Sequence, residues 1–500
     1  MDGLRSLPAT RRELLAGLGA LAVVPSAAIA AGLSLRAILD RAAAISDPAA
    51  RLAYLRRAPA QGLGRVDRAL LHMVARGLER ESELRRHFPF GKADGSAPYV
   101  LSQRHGAWLE LDAAGHPASR KARALDEETE RLRTEARRGI VPPAFILDAV
   151  GRAQAALRPE AEPEVSAALG RQMAELDRLR ALADSAPGVW RLPGGEDYYR
   201  LRLRCTSGLD EGPARIERRV AAETAALLGR ADRLLKGLGL ARGNVGERLR
   251  ALKGRAGHAF TDDDAGRDRA VAWMNSALAR IRPHLASGFN PPLETAGAAR
   301  RMSAAEERSG RRGYRDPAAG FYYPDLAQVG ERPAWTLTTV AYHETIPGHL
   351  LQLGRQARAD PNPLQVRYAP GYSEGWAIYA EALADSMGLL SPVERLGLIQ
   401  SLLFRLARVT CDIGIHLRRW DRARAIAYLE DNVGFELFFP FAVEVDRYAV
   451  EPGAFAGDAM VALTLMRLGR RTKASGRLRS FHDAVLDRGP MSAEAIEQVV

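Results

Sequence analysis

The sequence has only two cysteines, Cys205 and Cys411, among its 500 residues. An oxidising compartment would permit one disulfide between them, and the sequence does not show whether the two thiols meet. We favour the alternative that both are small buried apolar residues. A chain of this length can bury a large hydrophobic core, as one large domain or two lobes, and needs no disulfide framework.

Long apolar segments are absent beyond the N-terminal region, so no later stretch is expected to span a bilayer. The N-terminal region itself contains the twin-arginine pattern Thr10-Arg11-Arg12-Glu13-Leu14-Leu15, then a weakly apolar run to Ala31 and the small-residue triplet Ala28-Ile29-Ala30. We interpret residues 1–30 as a cleaved twin-arginine signal peptide rather than a membrane anchor. The mature protein is therefore expected to be periplasmic or secreted, without stable membrane insertion.

A continuous basic segment is also missing, although the formal net charge is +12. The arginines are spread through alanine- and leucine-rich stretches with acidic residues between them. No repeated spacing of aromatic and basic residues occurs, which argues against nucleic acid as a partner. The positive balance favours anionic surfaces or substrates only mildly.

Few segments are rich in β-branched residues, and apolar residues recur instead at three- and four-residue spacing. Leu35, Ile38 and Leu39 show this helical period, and so does the long amphipathic stretch from Pro213 to Leu238. We predict a mainly α fold. Residues 31–500 are expected to form a single helical domain, in which residues 31–270 are an N-terminal helical part and residues 271–500 carry the functional site.

The stretch from Tyr342 to Gln352 reads Tyr-His-Glu-Thr-Ile-Pro-Gly-His-Leu-Leu-Gln. His-Glu opens the H-E-x-x-H helix of zinc peptidases, in which two histidines four residues apart hold the metal. Here the position four after His343 is Pro347, and the next histidine is His349. On a regular helix six residues would leave the two side chains roughly 120° apart.

This spacing has two interpretations. Proline removes a helical hydrogen bond and glycine permits unusual dihedral angles, so Pro347-Gly348 could distort the helix and bring His349 beside His343. Alternatively, His-Glu is a chance dipeptide and Pro-Gly is an ordinary turn. Under the first interpretation Glu344 is the general base that deprotonates a water molecule on the metal.

Zinc would need a third protein ligand, and two downstream glutamates are candidates. Glu374 lies 31 residues after His343, and Glu381 lies two helical turns further along the same face. One could bind the metal while the other orients a histidine. We favour Glu374 as the ligand because its neighbours Trp376 and Tyr379 make an apolar setting in which a free carboxylate is costly.

Hydrolysis of an amide also needs a donor for the developing oxyanion, and the candidates are His416, Arg447, Tyr448 and either Tyr322 or Tyr323. Each has a structural alternative. His416 could be an ordinary surface histidine, and Arg447 could be an ion-pair partner of Glu444 or Asp446.

Aromatic residues make up only 6% of the chain, and several of them lie near the candidate site in sequence. Tyr322 and Tyr323 belong to a loop-like region of low periodicity just before the His-Glu stretch, where they could line a cleft or merely cover core. Tyr379 follows Glu374. We predict that Tyr322, Tyr323 and Tyr379 contact substrate.

Taken together, these motifs resemble the bacterial family named for domain of unknown function 885 (DUF885). That family is similar to the helical zinc peptidases that include angiotensin-converting enzyme and thermostable carboxypeptidases. The strongest matching segments are His343-Glu344-x-x-Pro347-Gly348-His349-x-x-Gln352, Glu374-Gly375-Trp376-Ala377-x-Tyr379-Ala380-Glu381, Asp412-x-Gly414-x-His416 with Trp420, and Arg447-Tyr448 with Pro452-Gly453. Weaker matches extend the resemblance over roughly residues 98 to 460.

The resemblance implies an elongated, almost wholly helical, zincin-like fold with a deep central cleft and one zinc ion bound by His343, His349 and Glu374. It also implies an exported zinc-dependent hydrolase, with short peptides as the expected substrates. The oligomeric state is not implied.

Three positions depart from the family pattern. Leu350 stands where a second histidine is common, Ala454 where glutamine is common, and Asp458 where a tyrosine is common. These substitutions keep two further hypotheses open: a non-catalytic peptide-binding protein on a peptidase scaffold, and a metal-dependent amidase or esterase acting on a non-peptide substrate.

Overall fold

The computed structural model describes residues 34–92, 94–111, 115–255, 257–292, 297–437 and 439–500. The twin-arginine pattern and the candidate cleavage site lie outside these residues. Helices dominate the described chain, which confirms the prediction of a mainly α fold. Within the described ranges no helix is both long enough and apolar enough to cross a membrane.

The helices fall into two runs separated by a small sheet. Those before the sheet are α1 (Leu35–Ala44), α2 (Pro48–Arg57), α3 (Arg65–His87), α4 (Ala118–Arg137), α5 (Ala144–Leu157), α6 (Pro163–Arg180), α7 (Gly195–Ser207), α8 (Pro213–Gly237), α9 (Val245–Lys253), α10 (Asp264–Ile281) and α11 (Leu285–Gly288). Short 3₁₀ helices occupy Ala107–Glu110, Arg158–Glu160, Val189–Arg191, Arg282–His284 and Val329–Glu331.

The second run begins with α12 (Ala304–Arg308), which lies between the strands of the sheet. The helices after it are α13 (Ala334–Glu344), α14 (His349–Ala359), α15 (Pro363–Arg367), α16 (Tyr372–Ser386), α17 (Pro392–Leu417), α18 (Arg422–Asn432), α19 (Phe441–Val450), α20 (Ala456–Ala474), α21 (Leu478–Leu486) and α22 (Ala493–Val499).

Local sequence explains where several of these helices begin. Ser391 accepts a hydrogen bond from the backbone amide of Glu394, and the Glu394 side chain accepts one from the amide of Ser391 in return. This capping box starts α17, the longest helix of the second run, directly before Pro392 at its first position. Phe441, at the start of α19, likewise follows a proline, Pro440.

The sheet has three short strands, β1 (Ala298–Ala299), β2 (Tyr314–Asp316) and β3 (Phe321–Tyr323), in the order β1-β3-β2. β1 runs parallel to β3, and β2 runs antiparallel to it, with Arg315 paired to Tyr322. The sheet thus presents Arg315 and Tyr322 next to each other, directly before the helices that carry the His-Glu stretch.

Two separate hydrophobic clusters hold the chain together. The main core includes residues from Leu35 to Ile496 and therefore draws on both sides of residue 270. A second cluster, here called the small core, is built by Val100, Leu101 and Trp108 with the inward faces of α4, α5 and α6. The helices of the candidate site, α13, α14, α16 and α17, all contribute to the main core.

Candidate metal centre

The His-Glu stretch lies at a complete break between two helices. α13 ends at Glu344, and α14 begins at His349. Thr345 has φ −116° and ψ −107°, outside the helical region, and the Ile346–Pro347 peptide bond is cis. The Pro347 carbonyl accepts a hydrogen bond from the Trp376 indole at 2.9 Å, so the break is tied to α16. His343 and His349 are therefore the last-turn residue of one helix and the first residue of the next.

This break brings the two imidazole rings together. The ring centroids of His343 and His349 lie 4.8 Å apart, and the ring planes are nearly perpendicular at 86°. Both rings are buried. On a regular helix the two histidine side chains would point roughly 120° apart. That angle does not arise here because the two histidines belong to different helices.

Glu374 supplies the third donor from the first turn of α16. Its Oε2 lies 3.5 Å from Nε2 of His343, and its Oε1 lies 3.4 Å from Nε2 of His349. One donor atom from each of the three residues falls within 4.8 Å of the others. We call His343, His349 and Glu374 the ligand triad.

The residue after Glu374 explains how α16 reaches this position. A Cβ atom added at Gly375 would lie 2.5 Å from the Val461 side chain, so only glycine allows α16 and α20 to pack this closely. Trp376 then holds the helix break through the Pro347 carbonyl. The Glu-Gly-Trp motif thus positions the third donor against the two histidines.

Each histidine of the triad has a partner at Nδ1. His343 Nδ1 lies 2.7 Å from Glu381 Oε1. His349 Nδ1 lies 3.2 Å from Ser373 Oγ, whose own proton is donated to Gln352 Oε1 at 2.9 Å. With a cation bound between the three side chains, the ring proton would lie at Nδ1 in both histidines, and both Nε2 lone pairs would face the cation. The buried Nε2 of His349 makes no hydrogen bond of good geometry with any residue that the structure describes.

These observations fit a zinc ion. Two imidazole nitrogens and one carboxylate are a typical catalytic donor set, and two donors sharing a tetrahedral zinc lie about 3.4 Å apart. The measured separations of 3.5 and 3.4 Å agree with that spacing. The partners at Nδ1 repeat the arrangement that orients zinc-binding histidines in proteins.

The electrostatics of the triad also favour a bound cation. Burial disfavours a charged His343, but hydrogen bonds with Glu374 and Glu381 outweigh burial and raise its pKa to about 9. For His349, burial dominates and lowers the pKa. The pKa of Glu374 is depressed because hydrogen bonds with the two histidines overcome its burial. The two carboxylates around this buried site need positive charge, which the proton on His343 supplies and which a bound metal ion would supply in its place.

Two members of the triad, His343 and Glu374, line a cavity of about 460 Å³. This volume falls in the range of small-molecule and cofactor sites. The lining includes most of the charged residues predicted for the site, namely His343, Glu344, Glu374, Glu381 and Arg447, together with Tyr322.

The family model described as "Bacterial protein of unknown function (DUF885)" matches residues 25–500. The chain belongs to the DUF885 family. No match was found among curated proteins.

Two solved structures share the fold of this chain. One is a candidate lipoprotein from Colwellia psychrerythraea, with 21% identity, coverage of 93% of this chain and 91% of that one, and a TM-score of 0.75. The other is a candidate lipoprotein of unknown function from Shewanella oneidensis, with 14% identity, 93% and 92% coverage and a TM-score of 0.64.

The three positions singled out in the sequence, Leu350, Ala454 and Asp458, have distinct places in the structure of this DUF885 chain. Leu350 is buried in the first turn of α14, and the ligand triad assembles without a side-chain donor from that position. Asp458 lines the cavity, where burial and the nearby Glu374 raise its pKa to about 6. Ala454 lies in the turn before α20 and does not line the cavity.

Glu344, the predicted general base, lines the cavity beside His343 and is mostly buried. Its Oε2 forms an ion pair with Arg315 Nη1, on the middle residue of β2. The small sheet therefore reaches into the site and holds the Glu344 carboxylate.

Two of the predicted oxyanion donors do not line the cavity. His416 is fully buried, with Nδ1 accepting from the Val189 amide at 3.1 Å and Nε2 donating to the Tyr448 carbonyl at 3.0 Å. Burial lowers its pKa to about 4, so it is a neutral core histidine rather than a surface one. The Tyr448 ring is also fully buried, against Phe455.

The remaining predicted residues divide between cavity and core. Arg447 lines the cavity and also forms the ion pair with Glu444 that the sequence allowed as an alternative. Tyr322 lines the cavity, whereas Tyr323 stacks on Tyr314 with ring centroids 4.7 Å apart. Tyr379 is buried behind the site, and its hydroxyl lies 2.8 Å from His482 Nε2.

Three residues near the triad were not predicted from the sequence. Arg315 pairs with Glu344, Ser373 contacts His349, and Arg405 Nη1 lies 3.6 Å from Glu374 Oε2. Ser373 directly precedes Glu374, and that adjacency was the one available signal. The two arginines are among 72 basic residues and carry no local pattern. Cys205 and Cys411 are both free thiols.

Proposed function

We propose that this DUF885 chain is an exported zinc-dependent hydrolase that cleaves peptide bonds in short peptides. The observation that supports this function best is the convergence of Nε2 of His343, Nε2 of His349 and the Glu374 carboxylate beside a cavity that also contains Glu344. A zinc ion bound there would activate a water molecule as nucleophile and polarise the scissile carbonyl.

The residues of the chain have separate roles in this mechanism. Glu344 accepts the proton of the attacking water and passes it to the leaving amine. The ion pair with Arg315 fixes the direction of the Glu344 carboxylate. Tyr322 can donate a hydrogen bond to the oxyanion because burial raises its pKa, which keeps its hydroxyl protonated.

Export is part of the same proposal. The twin-arginine pattern at Arg11-Arg12 favours it, and both structural neighbours are described as candidate lipoproteins, a class of exported protein. A protein exported by the twin-arginine route crosses the membrane folded and could acquire its metal beforehand.

The decisive experiment is the isosteric substitution Glu344→Gln. It removes the proton acceptor and leaves the ligand triad intact, so zinc content measured on the purified protein should stay at one per chain. Turnover of a peptide library should fall by about 10²-fold or more. Normal turnover in this variant would exclude Glu344 as the general base. Wild-type protein purified without stoichiometric metal would exclude zinc as the cofactor.

Glu217→Gln is the matched control. Glu217 pairs with Arg418 at 2.8 Å and does not line the cavity. The same chemical change there should leave both zinc content and turnover unaltered, because an exposed ion pair contributes little to stability.

One observation favours a second candidate, a non-catalytic peptide-binding protein. The Glu344 carboxylate is already engaged by Arg315, so it could serve structure rather than proton transfer. That function predicts peptide binding with no cleavage by the wild-type protein. Screening small amides and esters beside the peptides separates the peptidase from a metal-dependent amidase or esterase.

A further inference from the structure

Of the five arginines that line the cavity beside the ligand triad, three are stacked on shared aromatic rings. The guanidinium carbon of Arg312 lies 4.6 Å from the ring centroid of Phe439, and that of Arg447 lies 5.2 Å from it. Arg447 and Arg408 lie 4.8 and 4.2 Å from the ring centroid of Phe455. We call Arg312, Arg408 and Arg447 the arginine cluster. The two rings hold these three side chains in one group.

The arginine cluster has more positive charge than its protein partners neutralise. Glu444 is completely buried and pairs with Arg408 at 3.1 Å and Arg447 at 2.5 Å. Arg312 has no ion pair among the described residues, and the buried Nε atoms of Arg408 and Arg447 have no hydrogen-bond partner there. Among the described residues, Glu444 is therefore the one carboxylate within ion-pair distance of the arginine cluster, and it contacts two of the three guanidinium groups.

The other acidic residues that line the cavity form no ion pair with the arginine cluster among the described residues, and this includes Asp325 and Glu436. Glu344 is paired with Arg315, and Glu331 is paired with Lys253 at 2.7 Å. Asp458 lines the cavity too, but its carboxylate forms no ion pair within 4.0 Å among the described residues. Arg408 is only 5% exposed, so its charge lies where water screens it poorly.

We propose that the arginine cluster is a carboxylate-binding subsite. It holds a carboxylate of the peptide substrate while another part of the same peptide reaches the ligand triad. A planar guanidinium group matches a carboxylate with two parallel hydrogen bonds, and stacking on Phe439 and Phe455 orients it for that contact. The carboxylate is either the free C-terminus of the peptide or an acidic side chain. This proposal rests on the proposed function, because it names the substrate class of the same site.

The test measures binding rather than turnover, so that its result does not depend on catalysis. The probes are N-acetyl-tetraalanine as the free acid, the same peptide as its C-terminal amide, and N-acetyl-Ala-Ala-Ala-Glu amide. Each is titrated by calorimetry into zinc-supplemented Glu344→Gln protein. The free acid should bind about tenfold or more tightly than the amide, the scale of one charge-assisted contact. Recovery of affinity with the glutamyl amide would show that an acidic side chain also serves.

Two variants assign the preference to the arginine cluster. Arg312 is exposed, so the Arg312→Gln variant should fold normally. The Arg447→Lys variant retains the positive charge but loses the planar guanidinium group. Both should reduce the preference for the acid several-fold. Arg308→Gln, an exposed arginine of α12 outside the cavity, should not change it.

Equal affinity for the acid and the amide would overturn the subsite, and so would a preference that survives both cluster variants. The outcome is separate from the fate of the hydrolase. A chain that shows an arginine-dependent preference for acids but no zinc-dependent turnover would keep the subsite and reject the catalytic proposal.

Discussion

The direction of each imidazole in the ligand triad depends on one hydrogen-bond partner at Nδ1. For His343 that partner is the buried carboxylate of Glu381, and for His349 it is the hydroxyl of Ser373. A carboxylate at this position fixes the ring, selects the tautomer and makes Nε2 more basic. In the proposed zinc site, Glu381 is therefore expected to contribute to metal affinity without contacting the ion.

Replacing Glu381 by glutamine should weaken zinc binding by about 10- to 100-fold, the usual cost of losing such a partner. Competition with a chromophoric chelator measures that affinity directly. Glu128→Gln is the control, because Glu128 is also a buried carboxylate, accepts from the Ala107 amide at 2.9 Å and belongs to the small core. Wild-type affinity in the Glu381 variant would show that the Nδ1 contact is unimportant.

A second prediction concerns His482, a buried histidine of α21 that is not a ligand. Its Nδ1 donates to the Gly288 carbonyl at 2.7 Å, and its Nε2 accepts from the Tyr379 hydroxyl at 2.8 Å. Burial lowers its pKa from 6.5 to about 4, so the folded state binds a proton less readily than the unfolded chain. The free energy of unfolding should therefore fall as the pH falls from 6.5 towards 4.

Across that whole window the loss attributable to His482 is roughly 3 kcal/mol. In His482→Gln the free energy of unfolding should be lower at pH 7.5 but should decline less between pH 6.5 and 4. Urea unfolding followed by circular dichroism at several pH values gives the comparison. His72→Gln changes an exposed histidine and should retain the wild-type slope. An unchanged slope in His482→Gln would contradict the assignment.

At the residue scale, the sequence could predict which three side chains lie close together, but it could not predict which residues surround them. His343, His349 and Glu374 follow a local pattern, so their positions could be predicted. The contact of Glu344 with Arg315 joins residues 29 positions apart through the small sheet, and no local signal marks it. His416 and Tyr448 belong to a motif that resembles the family but are buried in packing roles, because sequence does not distinguish a core histidine from a catalytic one.

At the scale of secondary structure, the site depends on how α13 ends and α14 begins. Pro347-Gly348 predicted a disturbed helix, and the observed feature is a complete break whose carbonyl is bound by Trp376. The sequence could indicate the break because proline and glycine act locally. It could not indicate the angle between the two helices, because that angle depends on packing against α16, more than 20 residues away.

Gly348→Ala tests this junction. A Cβ atom at Gly348 would lie 2.0 Å from the His343 carbonyl oxygen and 2.4 Å from that of Tyr342, both of which are backbone atoms. The two helix ends would have to separate, which should cost about 2 kcal/mol or more in stability and weaken zinc binding. Thermal unfolding and the chelator competition measure the two effects.

The matched control for this variant is Gly151→Ala, in the interior of α5, where an added Cβ would meet no atom within 4 Å. That substitution should stabilise the protein by up to about 1 kcal/mol, because alanine is the better helix former. It should leave zinc affinity unchanged. If Gly348→Ala behaved like the control, the close approach of the two helix ends would have no bearing on metal binding.

At the scale of the whole molecule, the ligand triad and the small core are separate features. The triad joins α13, α14 and α16 within the main core. The small core lies between α4, α5 and α6 and includes Leu169, which is fully buried. Helical periodicity could predict both sets of helices. It could not predict that the first half of the chain divides its apolar residues between two clusters, since that division depends on long-range packing.

This separation makes a thermodynamic prediction about zinc. A ligand that binds only the folded state stabilises it by about 2.7 kcal/mol when its concentration is 100 times the dissociation constant. Zinc should therefore raise the midpoint of thermal unfolding, and a chelator should reverse the increase. His349→Ala should abolish the increase because it removes one donor of the triad. Leu169→Ala should lower stability by about 2–5 kcal/mol through a cavity in the small core, yet keep the full increase with zinc. An increase that persisted in His349→Ala would place the metal elsewhere in the molecule, whereas its loss in Leu169→Ala would show that the two clusters are energetically coupled.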